Sequence, residues 1–172
     1  MDEHDAIEKC QKGELEHFSV LYEEYFQKIY NFLYYRTFHK ETAEDITSKT
    51  FIKALEKIGT FEEGKGTFSA WIYRIARNTL FDHWRVSKET VDIEEVWEIG
   101  ESDKVEEGLD LKEDIGKAQK YLKKLPKDQR DVVLMRVWDE LSYKEIADIT
   151  GKSEGACKVM FSRVINKLRK EI

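Results

Sequence analysis

The stretch Ser142–Lys170, SYKEIADITGKSEGACKVMFSRVINKLRK, decides the fold, because it carries start and stop signals for two helices and the turn between them. Ser142 followed three positions on by Glu145 is a capping box, in which the Ser oxygen and the Glu carboxylate satisfy amides left over at a helix start. Ile146, Ala147 and Ile149 give that short helix an apolar side, and the small Ala147 lets a partner helix come close. Gly151 stands where a left-handed residue ends the helix and turns the chain. Ser153 can cap the next helix, in which Cys157, Phe161, Val164 and Leu168 recur at steps of four, three and four as an inward stripe. Lys158, Ser162 and Arg163, then Asn166, Arg169 and Lys170, fall on the opposite side. A second helix with outward polar residues near its N-terminus is the arrangement that enters a DNA major groove. An ordinary helical hairpin with solvated charges fits the same pattern.

Upstream, Leu111–Leu125 reads as a helix ended by Leu125-Pro126, and Pro126 suits the first turn of the next helix, where its missing N–H costs nothing. Val132, Val133, Met135, Arg136 and Trp138 follow. The chain's net charge of −6 looks wrong for a nucleic-acid binder until it is partitioned. Residues 1–85 carry 12 Lys/Arg against 15 Asp/Glu, 86–110 carry 2 against 10, and 111–172 carry 15 against 10. The acidity is concentrated in the middle, and the candidate DNA-reading end is basic, as phosphate contact requires.

That middle segment, Val86–Asp110, has the composition of an extended, mobile linker, with repelling charges, two glycines and no sustained helical period. Before it, a short helix ends near Gly13, and a long one follows with Leu15, Phe18, Tyr22, Tyr25, Ile29 and Phe32 at steps of three and four. Thr42 is expected to open another, with Asp45 as a capping-box partner and Gly59 as its stop. Ala43, Ile46, Thr50, Ala54 and Ile58 mark its inner side, and Glu44, Asp45, Ser48, Lys49, Lys53 and Glu56 its outer side. A loop, Thr60–Thr67, leads to a helix capped by Thr67 that runs to about Arg85. No strand pattern occurs. The expected fold is all-α, in two small helical domains: 1–85, a linker 86–110, and 111–172.

The helix Phe68–Arg85 is the second unusual segment. Trp71, Ile72, Ile75, Thr79 and Leu80 are expected inward, while Arg74, Arg77, Asn78, Phe81 and Arg85 occupy the other side, with His83 and Trp84 at its end. Cations, an amide and aromatics on one helix suit unpaired nucleic acid, where Arg neutralises phosphates, aromatics stack on bases and Asn bonds base edges. Aromatics packed in a core beside a solvated arginine face read equally well.

Other classes fit poorly. No apolar run approaches membrane-spanning length, and the acidic N-terminus is unlike a signal peptide, so a cytoplasmic protein is expected. Cys10 and Cys157 are expected as two reduced thiols. The four histidines show no metal-ligand spacing with each other or with either cysteine, and Gly64 and Gly66 lack the flanks of a phosphate loop. Neither catalysis nor a cofactor is expected.

Three segments, AEDITSKTFIKAL (43–55), WIYRIARNTLFDHWR (71–85) and LPKDQRDVVLMRVWDELSYKEIADITGKSEGACKV (125–159), resemble the bacterial extracytoplasmic-function (ECF) sigma factors. These have a sigma-two and a sigma-four domain only, and the resemblance runs through the chain in the right order apart from the linker. It implies a subunit that binds core RNA polymerase, directs it to promoters and helps melt the minus-ten region. The alternative function is a free-standing helix-turn-helix regulator of duplex operators. The resemblance places core-polymerase binding on Asp45, Ser48, Lys49 and Lys53. It places minus-ten contacts on Lys65, Arg74, Arg77, Asn78, Phe81, Trp84 and Arg85. Minus-thirty-five contacts fall on Lys152, Ser153, Gly155, Lys158, Val159, Ser162 and Arg163. It also implies an anti-sigma protein as partner. The chain departs from the family at Ser48 and Lys49, where glutamine then glutamate are common, at Ala156-Cys157, where Thr-Val is frequent, and at Met160, where arginine is frequent.

Overall fold

The computed structural model describes residues 1–90 and 120–171. The chain divides into two compact units, one within Met1–Glu101 and one within Ser102–Ile172, and the described residues of both are helical without strands. The linker reading for 91–110 and the first part of the helix expected from Leu111 lie outside the described residues.

The first unit has four helices: α1 (Glu3–Gln11), α2 (Phe18–Thr37), α3 (Lys40–Lys57) and α4 (Phe68–Thr90). Asp2 caps α1 by accepting the Asp5 amide at 2.8 Å, and Gly13, at φ 97°, turns the chain out of it. Leu15 lies in a single 3₁₀ turn and is 47% exposed, and Tyr22 is 42% exposed. The expected Phe18, Tyr25, Ile29 and Phe32 do form the inward side of α2, where Leu21 and Leu33 join them in place of Leu15 and Tyr22. Arg36 is also buried there, its guanidinium donating to Phe32 O at 2.6 Å.

The cap of α3 is His39, not Thr42: His39 Nδ1 accepts the Thr42 amide at 3.2 Å, and helix begins at Lys40. Asp45 is therefore in the helix interior, where its carboxylate meets Lys49 at 2.7 Å rather than an N-terminal amide. The expected inner residues Ala43, Ile46, Thr50, Ala54 and Ile58 are all buried, joined by Thr47 and Phe51.

Helix α4 starts where Thr67 Oγ1 accepts the Ala70 amide at 3.1 Å. It continues through Thr90, so the first five residues read as linker extend this helix. Its buried residues are Phe68, Ala70, Ile72, Tyr73, Ala76, Thr79 and Leu80, whereas Trp71 and Ile75 are half-buried. Tyr73 meets Phe32 edge-to-face at 5.1 Å, and Phe68 meets Tyr25 at 5.4 Å. Such pairs add roughly 0.5–1.5 kcal/mol each beyond the area they bury.

In the second unit residues 120–124 are helical, followed by α5 (Lys127–Val137), α6 (Tyr143–Thr150) and α7 (Glu154–Glu171). Pro126 is the cap residue of α5 rather than its first helical residue. The core is Leu122, Leu125, Val132, Val133, Leu134, Met135, Leu141, Ile146, Ile149, Cys157 and Val164. Trp138 is 48% exposed and Arg136 is exposed, because α5 ends beside them. Buried Arg130 closes the preceding turn by donating to the carbonyls of Leu122, Lys123 and Leu125.

Candidate nucleic-acid interface

The helix-turn-helix is built by local chemistry. Ser142 Oγ accepts the Glu145 amide at 3.2 Å while the Glu145 carboxylate accepts the Ser142 amide at 2.9 Å, which completes the capping box. Gly151 adopts φ 71°, and its N–H donates to Ala147 O at 2.9 Å. A side chain at that φ would cost roughly 1–2 kcal/mol. Ser153 Oγ then accepts the Ala156 amide at 3.1 Å and starts α7.

Inside the motif, Cys157 and Val164 are buried, with Phe161 and Leu168 half-buried. Lys158, Val159, Ser162 and Arg163 are exposed at steps of one, three and one, a single outward face, and Gly155 and Ala156 precede it on the surface. Lys158 sits 3.1 Å from Glu154 and 5.8 Å from the Tyr143 ring centre. Lys152 does not join this face freely: it is half-buried, and its ammonium lies 2.8 Å from Asp128 of α5.

In the first unit, Arg74, Asn78 and Arg85 are exposed, and Arg77, Phe81 and Trp84 are half-buried. The Arg77 guanidinium lies 4.4 Å from the Phe81 ring centre, and Phe81 lies 5.7 Å from Trp84, so cation and aromatics form a continuous edge. Lys65 projects from the preceding loop and pairs with Glu62 at 2.8 Å. That loop is bounded by buried Phe61, whose ring packs on Phe68 and Trp71, and by Gly66 at φ 151°, a conformation essentially reserved for glycine.

Of the residues grouped for polymerase contact, Asp45, Ser48 and Lys49 share the exposed face of α3, together with Ile52 at 58% exposure, which the sequence reading omitted. Lys53, one turn beyond Lys49, lies at the edge of that face with its side chain 37% exposed. Its ammonium reaches across to α4, 3.3 Å from Thr79 Oγ1 and 3.4 Å from Asp82, and Asp82 also holds Arg85 at 2.6 Å. Lys53 thus lines a groove with Lys57, Ile75, Asn78, Thr79, Phe81 and Asp82. Its volume of about 360 Å³ is at the small end of ligand-sized clefts. Lys57 and Asp82 were missed because nothing local in sequence places α3 against α4. Near this groove, burial and the neighbouring Lys49 charge push the His83 pKa below its ordinary value, against a smaller opposing effect of Asp45.

The cysteines are both buried and free. Glu14, Glu16 and His17 bring ligand atoms within 4.8 Å of one another at the surface before α2, with His17 3.3 Å from Glu14. Exposed acidic groups of this kind are common without an ion.

Two faces of this kind, each on its own helical unit, coincide with two family regions. Sigma-70 region 2 matches residues 21–90, and sigma-70 region 4 matches residues 115–168. The chain belongs to the ECF RNA polymerase sigma factors. ECF sigma factor SigW of Bacillus subtilis is 32% identical over 96% of this chain and 94% of that protein. ECF sigma factor BldN of Streptomyces coelicolor is 35% identical over 95% of this chain, which spans 63% of that relative's length. Sigma factor RpoE of Bartonella quintana, solved in complex with the anti-sigma factor NepR, is 26% identical with a TM-score of 0.73 over 89% of this chain and 94% of that one. CnrH, solved with the cytosolic domain of CnrY, shares the fold at 18% identity and a TM-score of 0.73, covering 96% of this chain and 94% of that one. As an RNA polymerase sigma factor the chain is a transcription initiation factor, and the reading as a free-standing operator binder is not favoured. No described helix of this sigma factor is long and apolar enough to cross a membrane.

Proposed function

We propose that this sigma factor divides promoter recognition between its units as follows. Asp45, Ser48 and Lys49 on the outer face of α3 dock on core RNA polymerase, with Lys53 at the edge of that face and reaching toward α4. The loop after Phe61 and the outer edge of α4 open and hold the minus-ten region. Lys65, Arg74, Arg77 and Arg85 meet phosphates, Asn78 meets a base edge, and Phe81 and Trp84 offer stacking surface. The outward face of α7, Lys158, Val159, Ser162 and Arg163, reads minus-thirty-five bases in the major groove, with Gly155 allowing close approach and Lys152 and Ser153 flanking it. The working division remains 1–85, a linker 86–110, and 111–172, with α4 reaching past the first boundary.

The observation that supports this reading best is the order of the two matched regions, each carrying an exposed helix face of the chemistry its role needs. The fold offers binding surfaces, and the proposed role has no chemical step of its own. A cytoplasmic location follows from the polymerase partner. An anti-sigma protein that masks one or both units is proposed by analogy with the RpoE complex. Capture of core polymerase by the tagged chain tests the division: Asp45→Lys should abolish capture, and Asn78→Ala should leave it unchanged while slowing promoter opening. Capture lost in both variants, or in neither, contradicts the division.

A further inference from the structure

Helix α1 lies before the region that matches the sigma-70 profile, yet it grips the loop assigned above to promoter opening. The Gln11 side-chain amide donates to two carbonyls far along the chain, Ile58 O at 3.1 Å and Phe61 O at 2.8 Å. These carbonyls bracket the 3₁₀ turn Ile58–Thr60 that joins α3 to the loop. Further out, His4 Nδ1 and Glu63 Oε1 lie 2.6 Å apart, which ties the start of α1 to the 3₁₀ turn Glu63–Lys65 at the loop's tip. Helix α1 is itself fixed, because Ala6, Ile7 and Cys10 are buried and Glu3 accepts the Tyr25 hydroxyl at 2.5 Å. The loop is thus held at its entrance by Gln11 and at its tip by His4, both from one docked helix.

We infer that α1 is the element that sets the position of the promoter-opening loop, with Gln11 as its principal positioning residue and His4 as a second tether. This rests on the role proposed above for the loop. Ile58 O already accepts the Phe61 amide at 3.1 Å, and the Gln11 amide adds a second bond there while donating to Phe61 O, so one side chain locks the turn to the start of the loop. A held loop meets an extruded base without first paying the entropy of ordering itself.

The test uses holoenzyme assembled from the full chain and core polymerase on a promoter fragment with 2-aminopurine in the minus-ten region. Opening rate and core affinity are measured together. Gln11→Leu keeps the apolar stem and removes the donors. It should slow opening about tenfold, the equivalent of roughly one to two hydrogen bonds, with core affinity unchanged within about twofold. Gln11→Lys, which keeps a donor, should recover most of the rate. His4→Ala, at an exposed site where folding is not at risk, should slow opening by about twofold to threefold. Wild-type opening rates in both Gln11→Leu and His4→Ala would overturn the inference. So would a parallel fall of opening and core affinity, which marks a general loss of structure. A wild-type holoenzyme that opens no promoter would instead overturn the underlying role of the loop, and this inference with it.

Discussion

The Lys152 ammonium lies 2.8 Å from the Asp128 carboxylate, so the turn of the helix-turn-helix is tied to the first turn of α5. The Asp128 side chain is 49% exposed, which limits the pair to about 1 kcal/mol of stability or less. Under the role proposed for Lys152, its larger effect is expected on binding, because a lysine engaged by a carboxylate is withheld from a phosphate. Asp128→Asn should therefore raise affinity of the full chain for minus-thirty-five duplex by about twofold to fivefold at low salt. The gain should vanish in a Lys152→Ala background, as read by fluorescence anisotropy across a salt series.

Buried Arg130 donates at 2.7 Å, 2.8 Å and 3.2 Å to the carbonyls of Leu122, Lys123 and Leu125 where residues 120–124 end, a region in which helical carbonyls run out of amide partners. Arg130→Met should destabilise the second unit by about 3 kcal/mol, since three carbonyls, two of them in buried bonds, lose a charged donor. Arg130→Lys should recover only a part, because an ammonium lacks the guanidinium's fork. Urea denaturation followed by Trp138 fluorescence checks both.

Glu140 sits at φ 53° in the turn between α5 and α6, a left-handed conformation that a side chain disfavours. Glu140→Gly should raise stability by about 0.5–1 kcal/mol, with the relief of strain exceeding the added chain entropy. Calorimetry should show a higher Tm for this variant, and a lower Tm for Glu140→Val.

Two histidines should titrate on opposite sides of the ordinary value near 6.5. The hydrogen bond and charge of Glu63 raise the pKa of His4, so the stability it contributes is present below pH 6.5 and is lost as pH rises through its folded pKa. Burial and Lys49 lower that of His83, so its contribution is present above pH 6.5 and is lost as pH falls through its folded pKa. Imidazole NMR should resolve both, and Glu63→Gln should return His4 toward 6.5 without moving His83.

What could be read in the sequence was what is decided within a few residues. Ser142 with Glu145, Gly151, Ser153 and Thr67 each act on backbone groups three or four positions away, and all of them perform as expected. Thr42 is expected from sequence to open α3, but His39 does, because an imidazole can accept an amide as a hydroxyl can, and Lys40 and Glu41 tolerate helix. Helical spacing found the middle of the α2 stripe, Phe18, Tyr25, Ile29 and Phe32, but not its edge. Tyr22 and Leu21 are adjacent, and only packing against other helices buries the second and leaves the first 42% exposed. Lys53 illustrates the same limit at the site: its place on the α3 wheel was legible, but its reach to Thr79 and Asp82 depends on how α4 packs. The grip of Gln11 on Phe61 spans 50 residues and has no local signature.

The two units are proposed to act together as a promoter-specificity subunit. Run-off transcription with core polymerase on genomic fragments tests it most directly. Discrete start sites should appear only when the chain is added. They should share upstream minus-ten and minus-thirty-five elements and weaken at least tenfold with Arg163→Ala, while capture of core polymerase stays intact. An absence of chain-dependent starts, together with tight binding of the free chain to duplex DNA, would contradict the account.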